Sequence, residues 1–202
     1  MSPMMDALEE VTAVMARQVQ SWLPAVTPER YVAFLDMMYH YTSRSGDRLR
    51  LAAERATHPE LKAFFQELAR EEQEHYRLAR ADLAAFGRTP SPDVPREVSA
   101  FHTFWESIPA QRQLAFLGAL IVLEGVAHHL QRETREALGR LGLQRSQARF
   151  LLVHLDADLE HGARARELCA RIAGEEPEPL FEGARTAADF WVALHRKALV
   201  AA

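Results

Sequence analysis

Between Leu114 and Leu123 the chain carries no polar side chain, so a helix formed there is apolar on every face and has to be enclosed by other elements. The run stops at Glu124, at about half the ~20 residues a bilayer requires, which predicts the core helix of a bundle and no membrane span. Elsewhere apolar residues recur at helical spacing, and alternating strand-like runs bounded by turn signals are absent. The expected fold class is therefore all-α. Nothing in the 202 residues resembles a Gly/Pro-rich linker long enough to separate two cores, which leaves one helical domain over residues 1–202.

Turn residues divide this pattern. A first helix is expected over residues 4–22, and Thr27-Pro28 supplies an N-cap and a first-turn proline for a second helix over 29–57, with Gly46 as a kink. His58-Pro59 opens a third that runs to Phe86 and ends at Gly87; the proline-rich segment 88–97 is a loop, followed by a short helical piece over 101–108. Further helices are expected over 109–138, 144–172 and 183–200, with a loop over 174–179.

Composition removes several function classes. With 24 basic against 28 acidic residues, and arginines spread along the helices, nucleic acid is not an expected partner. Cys169 is the only cysteine, so intramolecular disulfides, Cys-based zinc sites and iron–sulfur clusters cannot be built, and a reducing cytoplasm fits. Asp6, Glu9, Glu10 and Arg17 interrupt the N-terminal segment, which has no signal-peptide core.

The informative residues are the polar ones that fall inside apolar faces. On the helix from Pro59, Leu61, Phe64, Phe65, Leu68, Ala79, Leu83 and Phe86 define one face, with Glu72 and His75 in its middle. Three residues apart, these two share a face and can reach one ion, whereas Glu71 lies at the edge. On the helix from Gln144, His154, Asp158 and His161 stand at i, i+4 and i+7 in a row continued by Phe150, Ala165 and Leu168, so the row points inward. Glu124, the first charge after the apolar run, is expected to be buried as well.

Each element alone has an ordinary reading: a surface pair for Glu72 and His75, an Asp–His network for the row, a salt bridge to Arg132 or Arg55 for Glu124. Together they place three carboxylates and three imidazoles in the interior, and a buried carboxylate costs several kcal/mol unless it is protonated, paired or bound to a cation. A dinuclear metal centre accounts for all six, and an oxygen/nitrogen set without thiolate suits iron or manganese. Glu71, His40 and His128 are further donors that spacing leaves open, with Asp36, His40 and Glu54 lying off the apolar stripe of the second helix.

These residues resemble the haem-oxygenase-like di-iron oxidases and oxygenases, within the wider group of haem oxygenase, the thiaminase-type enzymes and the pyrroloquinoline quinone synthase. The resemblance is carried by REEQEHYRLARADLAAFG, LGALIVLEGVAHH and FLLVHLDADLEHG, the last with its His-x-x-x-Asp-x-x-His pattern, and covers most of the chain. It departs at Leu68, where some members place a glutamate, so that Glu72 or Glu71 serves instead. The tract YVAFLDMMYHYTSRSG is similar to the family's first core helix, which would set Tyr39, His40 and Tyr41 beside the substrate.

The resemblance implies a bundle of about seven helices, and two Fe(II) ions held by Glu72, His75, Glu124, His154, Asp158 and His161. It further implies activation of dioxygen to oxidise a small organic molecule by N-oxygenation, desaturation or C–C cleavage, with an external reductant. A homodimer is the default assembly. Three rivals remain: a cofactor-independent thiaminase- or quinone-synthase-type enzyme using the same side chains as acid and base, a haem oxygenase with His40 as proximal ligand, and a non-catalytic helical interaction module.

Overall fold

A computed structural model describes residues 3–174 and 177–200 of the chain. Among them are nine α-helices: α1 (Pro3–Trp22), α2 (Pro28–Thr42), α3 (Ser45–Arg55), α4 (Pro59–Glu72), α5 (Tyr76–Ala85), α6 (Arg96–Ser107), α7 (Gln113–Arg140), α8 (Arg149–Ile172) and α9 (Glu178–Leu199). α2 with α3, and α4 with α5, are nearly continuous pairs, so the bundle has seven helical rods. No strand occurs among the described residues, as the periodicity requires.

α7 occupies the centre, packed against α1, α8 and α9. By length and composition the helical stretch Ala110–Arg140 could cross a membrane, but 72% of its apolar window is buried inside the fold. Two pairs of glycines set how near its neighbours come. A Cβ at Gly118 would overlap the carbonyl of Leu180, and one at Gly183 the carbonyl of Ala115, so α7 and α9 cross backbone to backbone. On α8, a Cβ at Gly162 would lie 3.3 Å from Gly125 Cα and 3.4 Å from the carbonyl carbon of Glu124. That crossing brings His161, beside Gly162, against Glu124, beside Gly125.

Several expected helix ends shift, among them the starts of α7 and α8, at Gln113 and Arg149 where 109 and 144 are expected. Thr27 caps α2 as predicted, its hydroxyl accepting the Arg30 N–H at 3.3 Å, but the second helix breaks at Ser43–Arg44, ahead of Gly46. Gly46 instead permits a close approach, since a Cβ there would stand 3.1 Å from Gln73 Cα. The third helix breaks opposite, over Gln73–His75, where backbone bonds run three residues apart: His75 N–H to Glu72 O at 3.3 Å and Leu78 N–H to His75 O at 3.0 Å. Glu72 and His75 therefore do not share one regular helix, as their spacing alone suggested. α6 and α9 each begin five residues earlier than expected, at Arg96 and Glu178; of the expected 174–179 loop, residues 175 and 176 lie outside the described ones. The start of α8 is tied to α5 by Asp82, fully buried, whose Oδ2 accepts the Phe150 N–H at 2.8 Å.

Candidate metal centre

Four elements deliver donors to one place: the end of α4 (Glu72), the turn after it (His75), the middle of α7 (Glu124) and α8 (His154, Asp158, His161). The structure brings all six together as two triads, Glu72–His75–His154 and Glu124–Asp158–His161, with the ligand-type atoms of each triad within 4.8 Å of one another. The α8 row is thus shared: His154 faces the first triad, while Asp158 and His161, one and two turns on, face the second. His161 links the two, with Nδ1 3.3 Å from Glu124 Oε2 and 3.5 Å from Glu72 Oε1.

Hydrogen bonding decides which atoms are free to coordinate. His154 donates Nδ1–H to the Phe150 carbonyl at 2.7 Å, which makes Nε2 the lone-pair nitrogen. That Nε2 is buried and has no hydrogen-bond partner among the described residues, and neither has Glu72 Oε1. His75 Nδ1 stands 2.8 Å from Glu72 Oε2, yet the pair lacks hydrogen-bond geometry. Donor atoms packed this closely without bonding one another fit an ion between them. Burial pushes the His154 imidazole down to about 4, keeping it neutral as a ligand must be. Burial, with Glu124 and Glu72 adding to it, raises Asp158 well above the ordinary carboxyl range. Burial opposes charge on His161, but the hydrogen bond to Glu124 and the fields of Glu124, Glu72 and Glu71 outweigh it and raise that imidazole.

Glu71, at the edge of its helical face, does more than its position suggested. Its Oε2 lies 3.1 Å from His161 Nε2, and Arg164 holds its carboxylate by contacts of 3.0 and 3.2 Å. With Nδ1 turned to the triads, this is the carboxylate–imidazole arrangement that orients a metal-bound histidine. Other donors fall away. His128 is exposed, His129 pairs with Glu9 at 2.8 Å, and buried His40 contacts Ser91 Oγ at 3.1 Å. Glu124 pairs with neither arginine proposed for it: Arg132 meets Glu133 on the surface, and Arg55 donates to the carbonyls of Glu106 and Ile108.

Beside the triads lies a cavity of about 120 Å³ lined by Glu72, Glu124, His154 and Asp158 together with Tyr41, Arg48, Trp105 and Trp191. A second, of about 100 Å³, shares His154, Asp158, Trp191 and His195 with it and is otherwise walled by apolar residues such as Val26, Leu130 and Leu141. Of the tyrosine–histidine tract only Tyr41 reaches the cavity; Tyr39 packs on His40 and Tyr76 instead. Phe65 and Phe116 are fully buried core.

Two cavity residues, Arg48 and His195, escaped the sequence reading. Both left a signal: Arg48 sits one residue before Leu49 and four before Ala52, inside the α3 stripe, and His195 stands four after Trp191 on the α9 face. His195 donates Nδ1–H to the Trp191 carbonyl at 2.8 Å, and burial pulls it down to about 4, leaving a neutral Nε2 lone pair.

Comparison with known proteins shows the fold and the family. No curated protein matches the chain. Among solved structures, a domain of unknown function with a heme oxygenase-like fold from Shewanella denitrificans OS217 superposes with a TM-score of 0.84 at 16% identity, over 96% of this chain and 91% of that one. A TenA homologue from P. horikoshii OT3 superposes at 0.74 and 15% identity, over 97% and 98%. The haem-oxygenase-like architecture is thereby shown. The model of one protein family matches residues 32–192, a span that includes all six triad residues, and the chain belongs to that family, the iron-containing redox enzymes.

Proposed function

We propose that the protein is a non-haem di-iron oxidase or oxygenase in which Glu72, His75 and His154 hold one ion and Glu124, Asp158 and His161 the other. The observation that carries this reading is the set of buried, unbonded donor atoms, His154 Nε2, His75 Nδ1 and Glu72 Oε1, converging within one triad. Manganese would suit the same donors. Iron, when bound, supplies the redox chemistry that activates dioxygen toward a small organic substrate.

The chain's own residues do the rest. The Phe150 carbonyl fixes the His154 tautomer, and Glu71 steadies His161. Asp158 gives up its proton where a cation offsets its burial. Phe34, Leu120, Leu123 and Phe150 wall the cavity against bulk water, and the substrate rests between them and the triads. Electrons for turnover come from an external reductant.

A second reading has one observation in its favour: a carboxyl whose pKa burial raises, Asp158, near a neutral imidazole, His154, is also an acid–base pair. Likeness to the TenA homologue supports the fold of such an enzyme and no more. Metal-free protein titrated anaerobically with Fe(II) and then exposed to air separates the two. The di-iron reading expects about two irons per chain and dioxygen uptake that chelation and His154→Ala both abolish. Protein that keeps its helical circular dichroism yet takes up no iron refutes it, and catalysis that survives chelation establishes the second reading.

A further inference from the structure

Arg48 is buried in α3, with 7% of its surface exposed, and lines the same cavity as Glu72, Glu124, His154 and Asp158. A buried guanidinium ordinarily has a carboxylate for partner. This one has none within ion-pair distance among the described residues. It donates to the Tyr41 carbonyl at 2.8 Å, to His102 Nδ1 at 3.1 Å and to Ser45 Oγ at 2.9 Å, and its Cζ lies 4.7 Å from the centre of the Tyr41 ring and 5.1 Å from that of the Phe101 ring. All three partners are neutral, since burial and the neighbouring Arg48 charge drive His102 down to about 3. Of the five N–H groups of a guanidinium, these bonds use three.

Two divalent ions against the three carboxylates of the triads leave one positive charge in excess, and Arg48 adds a second inside the same dry volume. An anion entering the cavity relieves both. Beyond the triads the second cavity is apolar, which suits a hydrocarbon body and offers no second cation. Each of the two volumes approaches the ~150 Å³ that accepts a benzene molecule, so the ligand is small.

We infer that Arg48 anchors the carboxylate of a small organic acid, whose apolar part extends past His154 and Asp158 toward the second cavity. The inference rests on the reading of this cavity as the substrate chamber and names the class of substrate that chamber takes. Arg48 orients the acid from the cavity wall, and the guanidinium, fixed by three acceptors and lying against the Tyr41 and Phe101 rings, has little freedom to lose on binding.

The test uses benzoate, with benzyl alcohol as the uncharged control, titrated by calorimetry into metal-free protein and into anaerobic Fe(II)-loaded protein. Benzoate is expected to bind the Fe(II)-loaded form at least about tenfold more tightly than benzyl alcohol, with a smaller preference in the metal-free form, where the triad carboxylates are not neutralised. Arg48→Met should remove that preference without changing benzyl alcohol binding, and Arg48→Lys should retain part of it. Should the Met variant lose its helical circular dichroism, wild-type crystals soaked with para-bromobenzoate decide: a carboxylate hydrogen-bonded to Arg48 supports the assignment, and one bound elsewhere overturns it. Benzoate binding no tighter than benzyl alcohol also overturns it, as does a preference that appears only with iron and survives Arg48→Met. Either result leaves the di-iron reading standing. Conversely, an Arg48-dependent preference in protein that takes up no iron keeps the anchor and removes the oxidase reading.

Discussion

Replacing Asp158 by Asn should stabilise the metal-free protein while it weakens metal binding. Asp158 is packed against Glu124 and Glu72, and burial with those two neighbours raises its pKa far above the ordinary 3.8. In the unfolded chain at neutral pH the carboxyl is ionised; in the metal-free fold it must take up a proton or carry an uncompensated charge. Exchanging a buried charged group for a neutral one of the same shape relieves on the order of 1–3 kcal/mol. At ~2–4 °C per kcal/mol for a chain of this size, the Tm of chelated protein at neutral pH should rise by roughly 2–12 °C. Because the folded pKa is raised, the native fold bears no penalty below the unfolded value, so the gain should shrink as pH falls toward 3.8. In the same variant the second triad loses its Asp158 anion, and anaerobic Fe(II) titration should fall from about two equivalents toward one. Calorimetric melting and iron titration on one preparation check both signs. An Asn variant with unchanged or lower Tm that still binds two irons would refute the claim that Asp158 is held in the interior for a cation.

Glu71→Gln leaves the triads intact but weakens the support of His161, so the affinity of the second ion should drop by about 10–100-fold, read by competition with a chromophoric chelator, while the helical signal stays unchanged. Gly162→Val should force α8 away from Gly125, costing about 1–3 kcal/mol of unfolding free energy by urea titration and abolishing iron uptake, whereas Gly139→Ala, where a Cβ meets nothing within 4 Å, should do neither. His195 has a folded pKa of about 4 against an ordinary 6.5, so its contribution is present above 6.5 and lost as pH falls toward 4. Metal-free wild type should therefore lose about 3 kcal/mol more than His195→Gln over that interval, measured by urea unfolding at each pH.

The fold was legible because helical periodicity is local: the all-apolar run predicts the α7 core, and Thr27-Pro28 and Gly87 mark real helix ends. The breaks at Ser43–Arg44 and Gln73–His75 were not legible, since each depends on the other helix pair, through the space that Gly46 leaves for Gln73. The six triad residues stood out as charges inside apolar stripes, a signal that survives projection of a single helix. How they divide into triads did not, because it needs the α7–α8 crossing at Gly125 and Gly162. The role of Glu71 is hidden from its spacing for the same reason: its partner His161 lies 90 positions away in sequence, and only the packing of α4 on α8 makes it a neighbour. Tyr39 and His40 failed in the opposite direction, as a loop residue, Ser91, claims the histidine from outside the helix.

The most direct test of the account is anomalous diffraction at the iron edge from crystals of anaerobically Fe(II)-loaded protein. Two peaks are predicted, one among Glu72, His75 and His154 and one among Glu124, Asp158 and His161. Peaks located elsewhere, or none in crystals whose solution sample carried iron, would contradict it.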